Sequence, residues 1–156
     1  MALRPRMTDA RRMPVEDRGE HTRPTCLLVD DHETVRASLA ALLVSEGYEI
    51  VGEAGTAAQA VGLMETHRPV LAVLDYGLPD RNGLAVAREV ARVSPGTRIV
   101  LYTGEATSTI VRDALAVGVH AIVQKDVPPV HLLHAIDAVL GGELYVDPTL
   151  AHDASE

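Results

Sequence analysis

The chain has no phenylalanine, no tryptophan, four tyrosines, one cysteine and one lysine among its 156 residues. Without large aromatic rings, its interior must be assembled from Leu, Val, Ile and Ala. The supply is sufficient, because 47% of residues are hydrophobic and the length suits one domain with one proper core. The lone Cys26 cannot form an internal disulfide and has no neighbours at metal-ligand spacing. That excludes a disulfide scaffold and makes a reducing cytoplasm the simplest setting. No hydrophobic run approaches a membrane span, and the N-terminus lacks the apolar core of a secretory signal. A soluble, cytoplasmic protein without membrane contact is expected.

Charge is also uneven. The formal net charge is −8, yet residues 1–24 hold six Arg against four acids, leaving eight basic and eighteen acidic residues for the rest. Such an acidic body argues against direct nucleic-acid binding by the folded part, which would need Lys and Arg gathered on one face. Residues 1–24 also carry three of the nine prolines and no apolar periodicity, so they are expected to form a disordered tail. Arg outnumbers Lys thirteen to one. Lys125 therefore stands out, either through drift or because a compact ammonium is needed where a planar guanidinium does not fit.

What the chain does contain is four short apolar runs with polar endings. Leu27-Leu28-Val29 runs into Asp30-Asp31, Leu71-Ala72-Val73-Leu74 into Asp75, Ile99-Val100-Leu101-Tyr102 into Thr103, and Ala121-Ile122-Val123-Gln124 into Lys125. Runs of this length between amphipathic stretches read as buried parallel strands. A further short strand is expected at Glu49 to Glu53. Helices are expected over Thr34 to Glu46, ending at Gly47; from the Thr56-x-x-Gln59 capping box to about His67; from Leu84 to before Pro95; from about Thr107 to Val117, closed by Gly118; and from Pro128-Pro129 to Gly141-Gly142. These make five βα units over 25–141. The fold class is α/β, a three-layer, doubly wound parallel sheet, with residues 142–156 as a C-terminal linker or tail. Ligands in such sheets bind outside the carboxyl ends of the strands, so the four endings should converge.

Three carboxylates at adjacent strand ends repel one another, and a divalent ion relieves this. Mg²⁺ takes oxygen ligands, commonly one or two carboxylates plus phosphate oxygens and water. Asp31 and Asp75 would ligate it directly and Asp30 directly or through water, with a backbone carbonyl near Gly77 to add. Asp75 is the best candidate nucleophile toward a phosphoryl group, with Thr103 and Lys125 placed to contact its oxygens. Taken singly, each residue has a plainer reading as a turn former, cap or surface lysine. Their positions at successive strand ends weaken that reading.

With these residues in place, the chain resembles the receiver domain of two-component response regulators, the CheY-like family. The match is carried by Asp30-Asp31, by Asp75-Tyr-Gly-Leu-Pro79-Asp-Arg-Asn-Gly83, by Thr103-Gly104 and by Lys125-Asp126, at separations of 44 residues from Asp31 to Asp75, 28 to Thr103 and 22 to Lys125. The resemblance implies strand order 2-1-3-4-5, the flavodoxin/CheY order. It also implies that Asp75 accepts a phosphoryl group from a sensor histidine kinase, with Mg²⁺, or Mn²⁺ in its place, held by Asp30, Asp31, Asp75 and the Gly77 carbonyl. Asp30-Asp31-His32, Lys125-Asp126 and Gly141-Gly142-Glu-Leu-Tyr-Val-Asp-Pro are similar to the NarL/FixJ subfamily, whose members usually add a LuxR-type helix-turn-helix. This chain stops at Glu156, which reads as a single-domain receiver or part of a longer transcriptional regulator. The implied output is homodimerisation or partner binding on phosphorylation. The family's usual Tyr or Phe three residues before the lysine is Ile122, which puts the aromatic switch coupled to Thr103 in question.

Other residues carry weaker readings. His131 and His134 share the last helix without a third ligand, so packing or surface roles outweigh metal binding. His32 lines the site mouth or serves as a polar loop residue; Glu105 and Gly77 flank the site; Tyr76 and Tyr102 are expected to pack their rings. Two alternatives remain: a receiver-like module that signals without phosphorylation, and a phosphatase of the haloacid dehalogenase type. The latter resembles an Asp-x-Asp arrangement on the first strand, unlike the contiguous pair here.

Overall fold

Alternating strands and helices fill residues 23–150, the part of the chain that the computed structural model describes. Apart from Arg23 and Pro24, the expected N-terminal tail lies outside the described residues, as do residues 151–156. The elements are β1 (Thr25–Val29), α1 (Glu33–Ser45), β2 (Glu49–Ala54), α2 (Ala57–His67), β3 (Leu71–Leu74), α3 (Gly83–Val93), β4 (Arg98–Thr103), α4 (Ser108–Ala116), β5 (Ala121–Gln124), α5 (Pro129–Leu140) and β6 (Tyr145–Val146). All strands are parallel, in the order β2-β1-β3-β4-β5-β6.

Alternation along the strands sorts the aliphatic side chains onto two faces. Leu27, Val29, Ala72, Leu74, Ile99, Leu101 and Ile122 pack with Ala57, Ala60, Met64, Val86, Val90, Val111 and Ala114, which places α2, α3 and α4 on one side. Cys26, Leu28, Leu71, Val73, Val100 and Val123 pack with Leu39, Leu43, Leu132, Ile136 and Val139, which places α1 and α5 on the other. This is the expected three-layer sheet, built without any Phe or Trp.

Local signals set the boundaries. Thr56 Oγ1 accepts from the Gln59 N–H at 3.1 Å, and Gln59 Oε1 accepts in return from Gly55 N–H at 2.9 Å, one residue earlier than in the usual box. Asn82 and Thr107 cap α3 and α4 in the same manner. Gly47 and Gly118, with φ of 96° and 101°, turn the chain after α1 and α4 through a region that residues bearing a Cβ rarely enter. After α2 the left-handed position is taken by Arg68 (φ 44°), directly before Pro69.

The structure corrects the reading of residues 142–150 as linker or tail. Tyr145 and Val146 pair in parallel with Ala121 and Ile122, adding a sixth strand. Asp147, wholly buried, accepts from Gln124 N–H at 3.2 Å, Thr149 N–H at 3.0 Å and Thr149 Oγ1 at 2.9 Å, and its own N–H donates to the Ile122 carbonyl. Leu150 closes the segment against the core. A two-residue strand has no period to display, so its pairing was invisible in the sequence.

Candidate functional site

The carboxyl ends of β1, β3, β4 and β5 meet at one edge of the sheet, because parallel pairing in register leaves the residues after each strand side by side. Asp30 N–H continues the β1–β2 ladder by donating to the Ala54 carbonyl, and Asp75 N–H continues the β3–β1 ladder by donating to Val29. Both carboxylates are thereby held at the rim of the core, and both are buried, whereas Asp31 is exposed.

Lys125 lies between the two buried acids. Its Nζ donates to Asp30 Oδ2 at 2.6 Å and to Asp75 Oδ2 at 3.2 Å. Burial disfavours the ammonium charge, but the bonds and attraction of Asp30 and Asp75 outweigh it and hold the lysine above its usual pKa. The other oxygen of Asp30, Oδ1, accepts from His32 N–H at 2.8 Å and lies 3.0 Å from His32 Nδ1, which is itself 3.2 Å from Asp31 Oδ1. His32 thus lies against the acidic pair as well as serving in the loop.

Ligand atoms of Asp30, Asp31, His32 and Asp75 all lie within 4.8 Å of one another. Three hard carboxylate donors around one point suit Mg²⁺ or Mn²⁺, so the residues fit a divalent ion. Gly77 follows Asp75 by two residues, and a Cβ there would come 3.0 Å from Glu105 Oε2. Gly83 is under tighter constraint, since a Cβ would collide with the Asp75 carbonyl oxygen. The loop between them is closed by Gly83 N–H donating to the Tyr76 carbonyl at 2.6 Å and by a bridge pairing Gly77 with Asn82.

Thr103 is fully buried, and its Oγ1 accepts from Glu105 N–H at 3.1 Å, leaving the hydroxyl proton to donate elsewhere. Tyr102 is half-buried, and burial is the main reason its hydroxyl titrates above the ordinary value, with Lys125 opposing and Asp30 adding. Ile122 is buried in the core on the face of α2, α3 and α4. His131 and His134 join no metal-ligating cluster among the described residues, and His131 Nδ1 is buried without a partner there.

Two contributors escaped the sequence. Arg36, one turn into α1, donates from Nη1 to the Asp30 carbonyl at 2.5 Å and from Nε to Glu53 at 3.3 Å. It ties the acidic loop to β2. Asp80, in the loop after β3, accepts from the N–H groups of Ala57 and Ala58 at 2.8 and 3.0 Å, which holds its carboxyl below the usual range despite its exposure. The bonds to Glu53, Ala57 and Ala58 each span 17 to 23 residues, so no local spacing revealed them.

Known proteins resemble this chain over most of its length. The response regulator receiver domain family model matches residues 26–137. DevR/DosR of Mycobacterium tuberculosis, a DNA-binding transcriptional activator, is 36% identical over 121 residues, which are 77% of this chain and 56% of that protein. The chemotaxis protein CheY of Bacillus subtilis is 30% identical over 73% of this chain and 95% of its own length. Among solved structures, a LuxR-family response regulator from Aurantimonas sp. SI85-9A1 superposes with a TM-score of 0.82 at 30% identity, covering 86% of this chain and 96% of that one. The chain spans just over half the length of transcriptional relatives such as DevR/DosR and nearly all of CheY. Among the described residues no helix is long and apolar enough to cross a membrane. The chain belongs to the response regulator receiver domain family and is a receiver of two-component signalling.

Proposed function

We propose that Asp75 is the phosphoacceptor, taking a phosphoryl group from a phosphohistidine on a sensor kinase. The observation that carries this is the placement of the chain's one lysine between two buried carboxylates at adjacent strand ends. Lys125 engages Asp75 through Oδ2, which leaves the second carboxylate oxygen for attack. A P–O bond forms at that oxygen as the P–N bond of the phosphoimidazole breaks, and the electron pair returns to the imidazole. Asp30, Asp31, Asp75 and the Gly77 carbonyl would hold Mg²⁺ or Mn²⁺, which neutralises charge on the phosphoryl oxygens. Thr103 donates its hydroxyl proton to one phosphoryl oxygen, and the Lys125 ammonium balances another.

Phosphorylation adds about −1.5 to −2 charges beside Lys125. Drawing Lys125 and Thr103 toward the new group shifts the segments after β4 and β5. A shift in population from 1:99 to 99:1 needs about 5.5 kcal/mol of differential stabilisation, a scale that two charge-assisted contacts and a metal approach. Ile122 offers no aromatic ring for this coupling, so Thr103 and Lys125 carry it directly. The output is homodimerisation or binding of a cytoplasmic partner, with α1 and α5 as the responding pair; the acidic body disfavours direct contact with DNA. Transcriptional regulation follows if a DNA-binding module acts with this domain, as in the relative DevR/DosR. Phosphoramidate with Mg²⁺, resolved on a phosphate-affinity gel, tests the reading: a retarded band is expected for the wild type and none for Asp75→Asn.

A further inference from the structure

We propose that Asp80 is a positioning residue for the phosphoryl site: by clasping the N-terminus of α2, it sets the loop that carries Gly77 against the acidic cluster. The inference rests on the function proposed above. Three N–H groups in the first turn of α2 have no partner within the helix, as in any helix. Thr56, from the preceding residue, takes the third; Asp80 takes the first two, one with each carboxylate oxygen, across a sequence gap of 23 and 22 residues. The helix therefore needs the loop for its cap, and the loop uses the helix as an anchor.

The geometry of the loop gives that anchor its role. Its base is closed by the Gly83 to Tyr76 hydrogen bond and the Gly77–Asn82 bridge, and Leu78 holds its rising limb against the core. Beyond Leu78, Asp80 ties the tip to the N-terminus of α2 through two hydrogen bonds. The helix it grips follows β2, whose last residue, Ala54, accepts from Asp30 N–H. Asp80 thus ties the loop of Asp75 and Gly77 to the strand pair that carries Asp30. A carboxylate at a helix N-terminus is also favoured by the helix dipole, so the clasp persists at the surface.

The test compares Asp80→Ala with Thr56→Ala, which removes a cap from the same helix without touching the loop. Mg²⁺ is titrated against the Gly77 amide resonance at high ionic strength, where the long-range effect of deleting an exposed charge is screened. Thermal melting and phosphorylation by acetyl phosphate are measured alongside. Asp80→Ala is expected to weaken Mg²⁺ binding roughly tenfold, the lower end of the effect of losing an outer partner of a metal site. Thr56→Ala should lower the melting temperature comparably and leave Mg²⁺ affinity unchanged, and Asp80→Asn, which keeps one acceptor oxygen, should fall between wild type and Asp80→Ala. Equal Mg²⁺ effects in Asp80→Ala and Thr56→Ala, or none in Asp80→Ala, would overturn the assignment. A wild type that binds Mg²⁺ but takes no phosphoryl group would instead refute the phosphoacceptor reading alone, and a wild type without a Mg²⁺ response would refute both.

Discussion

The Nζ of Lys125 stands 2.6 Å from Asp30 Oδ2, joining residues 95 positions apart at the ends of β5 and β1. Removing that cation in Lys125→Met leaves Asp30 and Asp75 facing each other. The expected loss is about 1–3 kcal/mol, below the ~3–5 of a fully buried pair because the lysine side chain is 21% exposed. Mg²⁺ should restore more stability to Lys125→Met than to the wild type, as read by urea midpoints with and without the ion; equal gains would contradict the shared-charge account. The raised pKa of Lys125 implies a contribution present below the ordinary lysine value of 10.5 and lost as pH rises through the higher folded value.

Two glycines predict opposite outcomes from one substitution. Gly83→Ala drives a methyl into the Asp75 carbonyl oxygen, and the loop must move to accept it. A loss of about 2 kcal/mol or more is expected, together with impaired phosphorylation. Gly62 is an exposed position within α2 where an added Cβ meets nothing within 4 Å. Gly62→Ala should stabilise by about 0.5–1 kcal/mol through helix propensity alone. Chemical denaturation of both variants checks the contrast.

The strands and the candidate site were largely legible because each strand is a short aliphatic run ending on a distinctive polar residue. Lys125 and Asp75 stood out by scarcity and spacing. The contacts of Arg36, Asp80 and Asp147 were not legible, since each joins a side chain to backbone groups of another segment. Composition records that an acid is present, whereas only the packed fold decides which N–H groups it faces. Segment 142–150 was misread for a related reason: its order comes from the edge of β5 and from the buried acceptor Asp147, neither of which creates a periodic pattern.

Asp147→Ala tests that docking. The N–H groups of Gln124 and Thr149 would lose their acceptor in a buried setting, at a cost of about 1–3 kcal/mol. Hydrogen exchange should show residues 143–150 opening while β1 and β3 stay protected. Unchanged protection in that segment would contradict the role given to Asp147.

His120 supplies a pH dependence. Its Nδ1 accepts from Ile99 N–H at 3.0 Å, and burial, aided by the nearby Arg98 charge, lowers its pKa from 6.5. A base depressed on folding favours the folded state while both forms are neutral, above the unfolded value. Stability then falls as pH drops below 6.5 toward the lower folded pKa, because the unfolded chain binds the proton first. Urea midpoints between about pH 7.5 and 5.5 should decline in the wild type and flatten in His120→Gln. An equal decline in the variant would assign the effect to other groups.

The central claim, that Asp75 takes the phosphoryl group within the site built by Asp30, Asp31, Thr103 and Lys125, is tested most directly by intact mass spectrometry after incubation with acetyl phosphate and Mg²⁺. The account predicts one alkali-labile phosphoryl adduct on the wild type, lost with a chelator and absent from Asp75→Asn. No adduct on the wild type, or an undiminished adduct on Asp75→Asn, would contradict it.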